Sequence, residues 1–413
     1  MFKLIKKYRQ LFSNFSYLSV AQFSNIIFQI IAFPYLIRVL GTTNYGLTVF
    51  AESIVIYLSI IINFGFDITA TKAISLNRNN KKKLDEITSS IYIIKLALFF
   101  IGMVAMILLT IFVPFFQQNK ILLFLTLWKC IYEILFPLWF FQGLEKMKYI
   151  ALLTLISRIL FLILIFIFIK VDSDYLYVPA INLFSTLLCG IIALWIVFVK
   201  HNIKFYIPKY SILKNYFSDS LPIFLSNLST RLYVSTNKVV IGSIIGMSAV
   251  SFYDLAEKII AVLKIPQKIL GQVIFPKISI DHDRLFIKKL FFKSILFNLF
   301  LTGLVMISSE KIILLLGGDA MLDTIPILKI LLVTVPIIAM GNVFGIKLLL
   351  PFGFNKDFSR IVISSLVFYL LLLIISKYLL ILNIYNLAWI LVLTEIFTTT
   401  YMYLRCRKHK LWI

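Results

Sequence analysis

The chain has 413 residues, is 61% hydrophobic and has a mean hydropathy of +0.98, which excludes a soluble globular domain and a low-complexity polymer alike. Its formal net charge of +23 does not mark a nucleic-acid binder, because most of the 41 Lys and Arg residues collect in short polar segments between apolar runs. Runs of about 20 apolar residues, enough to cross a bilayer, recur from end to end, so the fold expected is an all-α polytopic membrane protein with about 12 transmembrane helices.

The basic start MFKLIKKYRQ leads into span 1, about residues 11–39, which holds Gln22, Asn25, Gln29 and Pro34. No small-residue cleavage site follows, so this reads as a retained first helix. After the connector at 41–44, span 2 (45–66) places Thr48, Glu52, Ser59, Asn63 and Asp67 on one arc. Spans 3 to 6 cover about 87–112, 122–141, 149–169 and 175–199. They carry Lys95, the i,i+4 pair Lys129 and Glu133, and Arg158. The link 201–215, with Pro208, is the expected boundary between an N-terminal six-helix bundle (1–205) and a C-terminal one (206–413).

Spans 7 and 8 form a hairpin starting near residue 221, and it is the most informative stretch. Asn227, Arg231, Ser235, Lys238 and Gly242 recur at steps of 3 or 4, as do Asp254, Glu257, Ala261, Lys264 and Lys268, with Lys258 one turn beyond Asp254. A charge at the bilayer centre costs roughly 2.5–3.5 kcal/mol, so these stripes must face protein or water. The hairpin is therefore expected to line an aqueous interior. Span 9 covers about 290–308; span 10 (325–350) is broken by Pro326, Pro336, Gly341 and Gly345 and carries Lys329 and Lys347. Spans 11 and 12 cover about 358–376 and 385–403, the latter with Glu395.

With this arrangement and a cytoplasmic N-terminus, 26 Lys and Arg fall in cytoplasmic segments and 5 on the opposite side, as the positive-inside rule requires, and both termini are cytoplasmic. Cys130, Cys189 and Cys406 sit in spans or in the tail and imply no disulfide framework. His201, His282 and His409 lack metal-ligand spacing, and no Gly is followed by Lys, so neither a metal, a cofactor nor a nucleotide-hydrolysing loop is expected. At an offset of 205 residues, Gly41 pairs with Gly246, Ala51-Glu52 with Ala256-Glu257 and Lys72 with Lys277. Six helices separate the copies, so the halves share one orientation, related by a pseudo-two-fold axis along the membrane normal.

Of the cations inside spans, Lys95, Lys264, Lys268 and Lys347 lie near span ends, where snorkelling to the interface is the plain account. Lys129 with Glu133, and Asp254 with Lys258, read either as neutralising ion pairs or as cavity groups. Arg158, Arg231, Lys238 and Lys329 have no acid on their own turn and are read as cavity cations, suited to an anionic cargo such as a phosphate or pyrophosphate head. Arg231 leads, because a guanidinium grips phosphate oxygens at two points. The substrate-binding set is thus Arg231, Lys238, Arg158, Lys129, Lys258, Lys264 and Lys329.

The segments PYLIRVLGTTNYGLTVFAESI, NFGFDITATKAIS, STNKVVIGSIIGMSAVSFYDLAEKI and VIFPKIS resemble the Wzx-type O-antigen flippases. These form part of the polysaccharide transporter branch of the multidrug/oligosaccharidyl-lipid/polysaccharide exporter (MOP) superfamily. The clear likeness covers about residues 12–85 and 215–290. It implies a MATE-like fold, a V-shaped pair of six-helix bundles in the bacterial inner membrane. It also implies a non-enzymatic flippase that moves undecaprenyl-pyrophosphate-linked oligosaccharide repeat units from the cytoplasmic to the periplasmic leaflet through a cationic cavity. The implied partners are that lipid-linked oligosaccharide, membrane lipids and surface-polysaccharide assembly proteins. Glu52, Asp254, Glu257 and Glu395 are the candidates for ion coupling, with helix–helix hydrogen bonding as their structural alternative. Two other readings stay open: a cation-coupled multidrug exporter of the same superfamily, and a membrane-embedded polysaccharide polymerase or ligase.

Overall fold

Several helix boundaries fall at glycines and prolines, such as Gly65, Pro114, Pro137 and Gly246. The computed structural model describes residues 2–268, 270, 278 and 284–412, with side chains from Ser16 onward other than those of Ser226, Thr230 and Val234. Pro276, Lys277 and His282, and the side chains of Lys3, Lys6, Lys7 and Arg9, lie outside the described residues. Among the described residues every regular element is helical.

Helix α1 (Phe2–Asn63) runs through both of the first two sequence-read spans and is interrupted at Gly41, with φ 72° and ψ 171°. The repeat mate Gly246, with φ 132° and ψ 168°, breaks the chain in the same way before another apolar helix. A side chain would clash with the backbone in that region of φ/ψ, so glycine is the residue that permits both breaks. The first half continues through α2 (Phe66–Leu76), α3 (Lys81–Phe112), α4 (Pro114–Gln118), α5 (Lys120–Thr126), α6 (Trp128–Leu135), α7 (Leu138–Gly143), α8 (Met147–Phe168) and α9 (Tyr177–Trp195). The hairpin is α10 (Tyr210–Ile244) and α11 (Met247–Leu263). After it come α12 (Arg284–Ile307), α13 (Ser309–Gly317), α14 (Thr324–Leu332), α15 (Thr334–Asn342), α16 (Asn355–Tyr378) and α17 (Ile384–Lys408).

Nine described segments are long and apolar enough to cross a membrane. The first of them, Ser16–Leu76, spans the Gly41 and Gly65 breaks, while α10 is not among the nine and α11 has 17 residues. The expected breaks in span 10 are present: α14, α15 and a π-helical stretch over Val343–Leu349 follow one another there. Large apolar side chains such as Phe100, Ile101, Phe112, Leu296 and Phe300 are exposed, as hydrocarbon-facing positions should be.

The chain forms two compact units, Met1–Asn44 with Ala51–Leu228, and Tyr45–Phe50 with Ser229–Ile413. Local packing accounts for both. In the first unit, Phe64 stacks on Phe217 and Phe224 at 4.3 and 4.5 Å, and the Thr69 and Ser220 hydroxyls hydrogen-bond at 2.7 Å. These contacts hold the early turns of α10. In the second unit, a Cβ on Gly46 would stand 1.8 Å from the Met247 carbonyl oxygen, and one on Gly242 would stand 2.1 Å from the Phe50 ring. Two glycines therefore let the 45–50 turns lie directly on the hairpin.

The second unit's apolar core includes Phe291, Phe344, Leu348, Met402 and Cys406, capped by Trp412 at 4.8 Å from the Phe291 ring. In the first unit, Arg78 pairs with Glu145 at 2.8 Å, and Lys81 and Lys146 both reach His201, which gathers three basic segments at one end. At another place Asn44 donates to the Asp172 carbonyl at 3.0 Å and Tyr35 to that of Ile169 at 2.5 Å. All three cysteines are buried free thiols.

Candidate functional site

In the second unit the hairpin turn at Gly246 sets α10 against α11 so that Lys238 faces two acids one turn apart. Its ammonium lies 2.7 Å from Asp254 Oδ1 and 2.8 Å from Glu257 Oε2. Lys258, at i+4, pairs with the other Asp254 oxygen, Oδ2. The close approach of the 45–50 turns brings in Tyr45, whose hydroxyl donates to Asp254 Oδ2 at 2.8 Å and accepts from Lys258 at 2.5 Å. Asp254 is 4% exposed and meets three donors, and the two acids balance the two lysines. A buried carboxylate is tolerated only with such pairing. The expected Asp254–Lys258 pair is present. Lys238, without an acid on its own turn, takes both its acids from the next helix.

Other hairpin charges differ. Arg231 and Lys268 are exposed, as is Lys329 on α14. Lys264 is half-buried within electrostatic reach of Glu395 and Glu257, and Glu395 accepts from Tyr233 at 3.4 Å. Beside them, Asn237 is fully buried; it accepts from Tyr369 at 2.6 Å and donates to Tyr253 at 2.7 Å.

The first unit carries a second polar set. Glu52 pairs with Lys129 at 3.1 Å. Lys129 also stands 4.8 Å from the Trp128 ring centroid, a cation–π contact. The expected i,i+4 partner, Glu133, instead accepts from Asn63 at 2.7 Å and lies 3.8 Å from Lys95. Helical spacing allowed the Lys129–Glu133 pair, but long-range packing brought Glu52 closer. Arg158 donates to Asn25 Oδ1 at 2.7 Å.

Two further expectations need correction. Lys95 does not snorkel; its side chain is 1% exposed and donates to the Glu133 carbonyl at 2.7 Å. Lys347 is 3% exposed in the π-helical stretch rather than extended to an interface. The groups missed by sequence reasoning are Tyr45, Tyr233 and Asn237. Each reaches its partner across the fold, and no local spacing announces it. Among the described residues, no three His, Cys, Asp or Glu side chains are arranged to hold a metal ion.

A family model described as "Polysaccharide biosynthesis protein" matches residues 11–282, about two thirds of the chain. The chain belongs to this family. A curated relative from Escherichia coli (strain K12), named "Putative O-antigen transporter", is 29% identical over 370 residues, covering 87% of this chain and 88% of that protein. A second of the same name, from Shigella dysenteriae, is 26% identical over 388 residues, covering 91% and 93%. Among solved structures, an inward-facing MATE multidrug resistance transporter of the MOP superfamily superposes with a TM-score of 0.75 at 16% identity over 93% of this chain and 95% of that one. An outward-facing conformation of a MATE family transporter gives 0.65 at 16% identity, covering 97% and 96%. The family member is thus a multi-pass membrane protein with the all-α fold of the MATE transporters. Its polar sets stand on the first to fifth, seventh, eighth, eleventh and twelfth sequence-read spans.

Proposed function

We propose that this protein flips undecaprenyl-pyrophosphate-linked oligosaccharide repeat units, O-antigen or a related surface polysaccharide, from the cytoplasmic to the periplasmic leaflet. Membership of a polysaccharide biosynthesis family supports a glycan cargo, and relatives named as transporters support movement rather than bond chemistry. The observation that carries the anionic head is the contrast on α10. Lys238 is matched by two acids, whereas Arg231, two turns earlier, is an exposed guanidinium. An exposed guanidinium is available to grip phosphate oxygens at two points.

In this reading the halves 1–205 and 206–413 alternate access to the two leaflets. Arg231 and Lys329 meet the pyrophosphate first. Arg158, Lys129, Lys258 and Lys264 hold the field around it, and Lys238 orders the hairpin. Of the candidate coupling carboxylates, Asp254, Glu257 and Glu52 are engaged by lysines. Glu395, with a 3.4 Å tyrosine hydrogen bond, is the one we assign to ion coupling. The gathering of Arg78, Lys81 and Lys146 at one end supports a cytoplasmic location for those loops, with both termini on that side of the inner membrane.

The MATE-like fold by itself would also suit a cation-coupled drug exporter; the family match favours the glycan. The test is surface polysaccharide in a transporter-null strain carrying Arg231→Ala, with Arg231→Lys alongside. We expect export to fall at least tenfold at normal protein level for the alanine variant, with partial rescue by lysine. Full export by Arg231→Ala would remove Arg231 from the site.

A further inference from the structure

Among the described residues, the longest stretch without helix lies between α9 and α10. Asn202 takes a left-handed φ of 52°, and the chain then runs without helix until α10. It is strapped to α3 by side chains: the Lys204 N–H donates to Asp85 Oδ1 at 2.9 Å and the Tyr206 N–H to Ser89 Oγ at 3.2 Å. Ile203 and Pro208 turn inward and are buried. Between and beyond them the outward residues are apolar or aromatic: Phe205 is 51% exposed, Ile207 81% and Tyr210 79%. Lys204 and Lys209, also exposed, flank Phe205 and Ile207.

At the foot of this strap, lysines from three separate segments gather around one imidazole. Lys146 Nζ is 2.6 Å from His201 Nε2, and Lys81 Nζ is 3.4 Å from the His201 carbonyl oxygen. Lys200 lies over the Tyr149 ring at 5.2 Å, and that ring is 6.2 Å from the imidazole. The charged groups acting on His201 are these three lysines. The nearby acids are already engaged: Asp85 by the strap, Glu86 by Lys83 at 2.5 Å, and Glu145 by Arg78 at 2.8 Å. Like charges gathered on a neutral ring repel one another, and an anion seated among them relieves that repulsion.

We infer that residues 202–210, with Lys81, Lys146 and Lys200, form a binding surface for anionic phospholipid headgroups. Phe205, Ile207 and Tyr210 enter the interfacial layer while the lysines hold the phosphodiester. Exposed aromatic and aliphatic side chains flanked by lysines on a strap tied to a helix are what an interfacial anchor needs. A free phosphate site would have no use for them. The assignment is independent of the cargo.

The test uses the full-length protein in vesicles of phosphatidylcholine containing spin-labelled phosphatidylglycerol or spin-labelled phosphatidylcholine, with the motionally restricted lipid fraction as readout. The wild type should select phosphatidylglycerol, and salt should weaken the selection. Lys146→Gln with Lys200→Gln should reduce the selectivity roughly tenfold, since each lysine near an anionic surface contributes about a several-fold factor. Phe205→Ser with Ile207→Ser should reduce restriction of both lipids. Equal restriction of the two lipids by the wild type would overturn the proposal, as would unchanged selectivity in a correctly folded lysine variant. Loss of the selectivity to millimolar inorganic phosphate at constant ionic strength would assign the site to free phosphate instead.

Discussion

The two polar sets teach different things about how a membrane chain keeps charge. In the second unit, Lys238, Asp254, Glu257 and Lys258 lie within 20 residues on two adjoining helices, and a single tight turn brings them together. In the first unit, Glu52 meets Lys129, Asn63 meets Glu133 and Arg158 meets Asn25, all across 70 or more positions. The hairpin set is dense and mutually neutralising around a buried Asp254, whose side chain is 5% exposed while those of Lys238, Glu257 and Lys258 are 18%, 22% and 24% exposed. The first set is spread over several helices, with Glu52 and Lys129 at 32% and 22% side-chain exposure. A hairpin can therefore be ordered by its own charges, whereas the first unit's charges meet only after the bundle has packed.

The sharpest break would come from Asp254→Ala. It removes one of the two acids that hold Lys238, and with it the carboxylate shared by Lys258 and Tyr45, so we expect a loss of about 3–5 kcal/mol, read as thermal unfolding in detergent and as reduced membrane yield. A variant as stable as the wild type would mean the cluster does not order the hairpin. The first unit should respond more gently. A double-mutant cycle of Glu52→Gln and Lys129→Met should return a coupling of about 1 kcal/mol, because a half-covered pair is screened and its partners find other neighbours. A coupling as large as the Asp254 effect would erase the contrast between the regions.

The smallest expected effect lies outside the bilayer, at His201. Burial, and secondarily the lysines around it, hold its pKa below the ordinary 6.5, against the opposing hydrogen bond to the Ile196 carbonyl. A neutral ring donates from Nδ1 to that carbonyl at 3.0 Å and accepts from Lys146 at Nε2. The folded state therefore binds this proton less readily than the unfolded one. The stability it confers is complete above pH 6.5 and declines as pH falls below that value. His201→Gln should flatten this part of the stability profile, measured as melting temperature against pH between about 5 and 7.5.

Much of the molecule is written in local pattern. Apolar runs of spanning length, the prolines and glycines that break span 10, and the Asp254–Lys258 spacing each follow from helical geometry and from the cost of placing charge in hydrocarbon. The Gly41 and Gly246 pair was visible as a repeat, and both residues take the backbone conformation only glycine holds cheaply. Partner choice was not visible. Helical spacing offered Glu133 to Lys129, but packing supplied Glu52; Lys95 and Lys347, placed near span ends, are buried rather than extended to an interface. Tyr45 reaches Asp254 across 209 positions because Gly46 admits the Met247 backbone and Gly242 the Phe50 ring. Sequence alone determined where the apolar runs of spanning length lie, which of them carry charge and how that charge is distributed between connectors and spans, because these depend on neighbours a few residues apart. Which charge answers which was decided by tertiary structure, since an ion pair needs atoms within about 4 Å and only packing sets that distance.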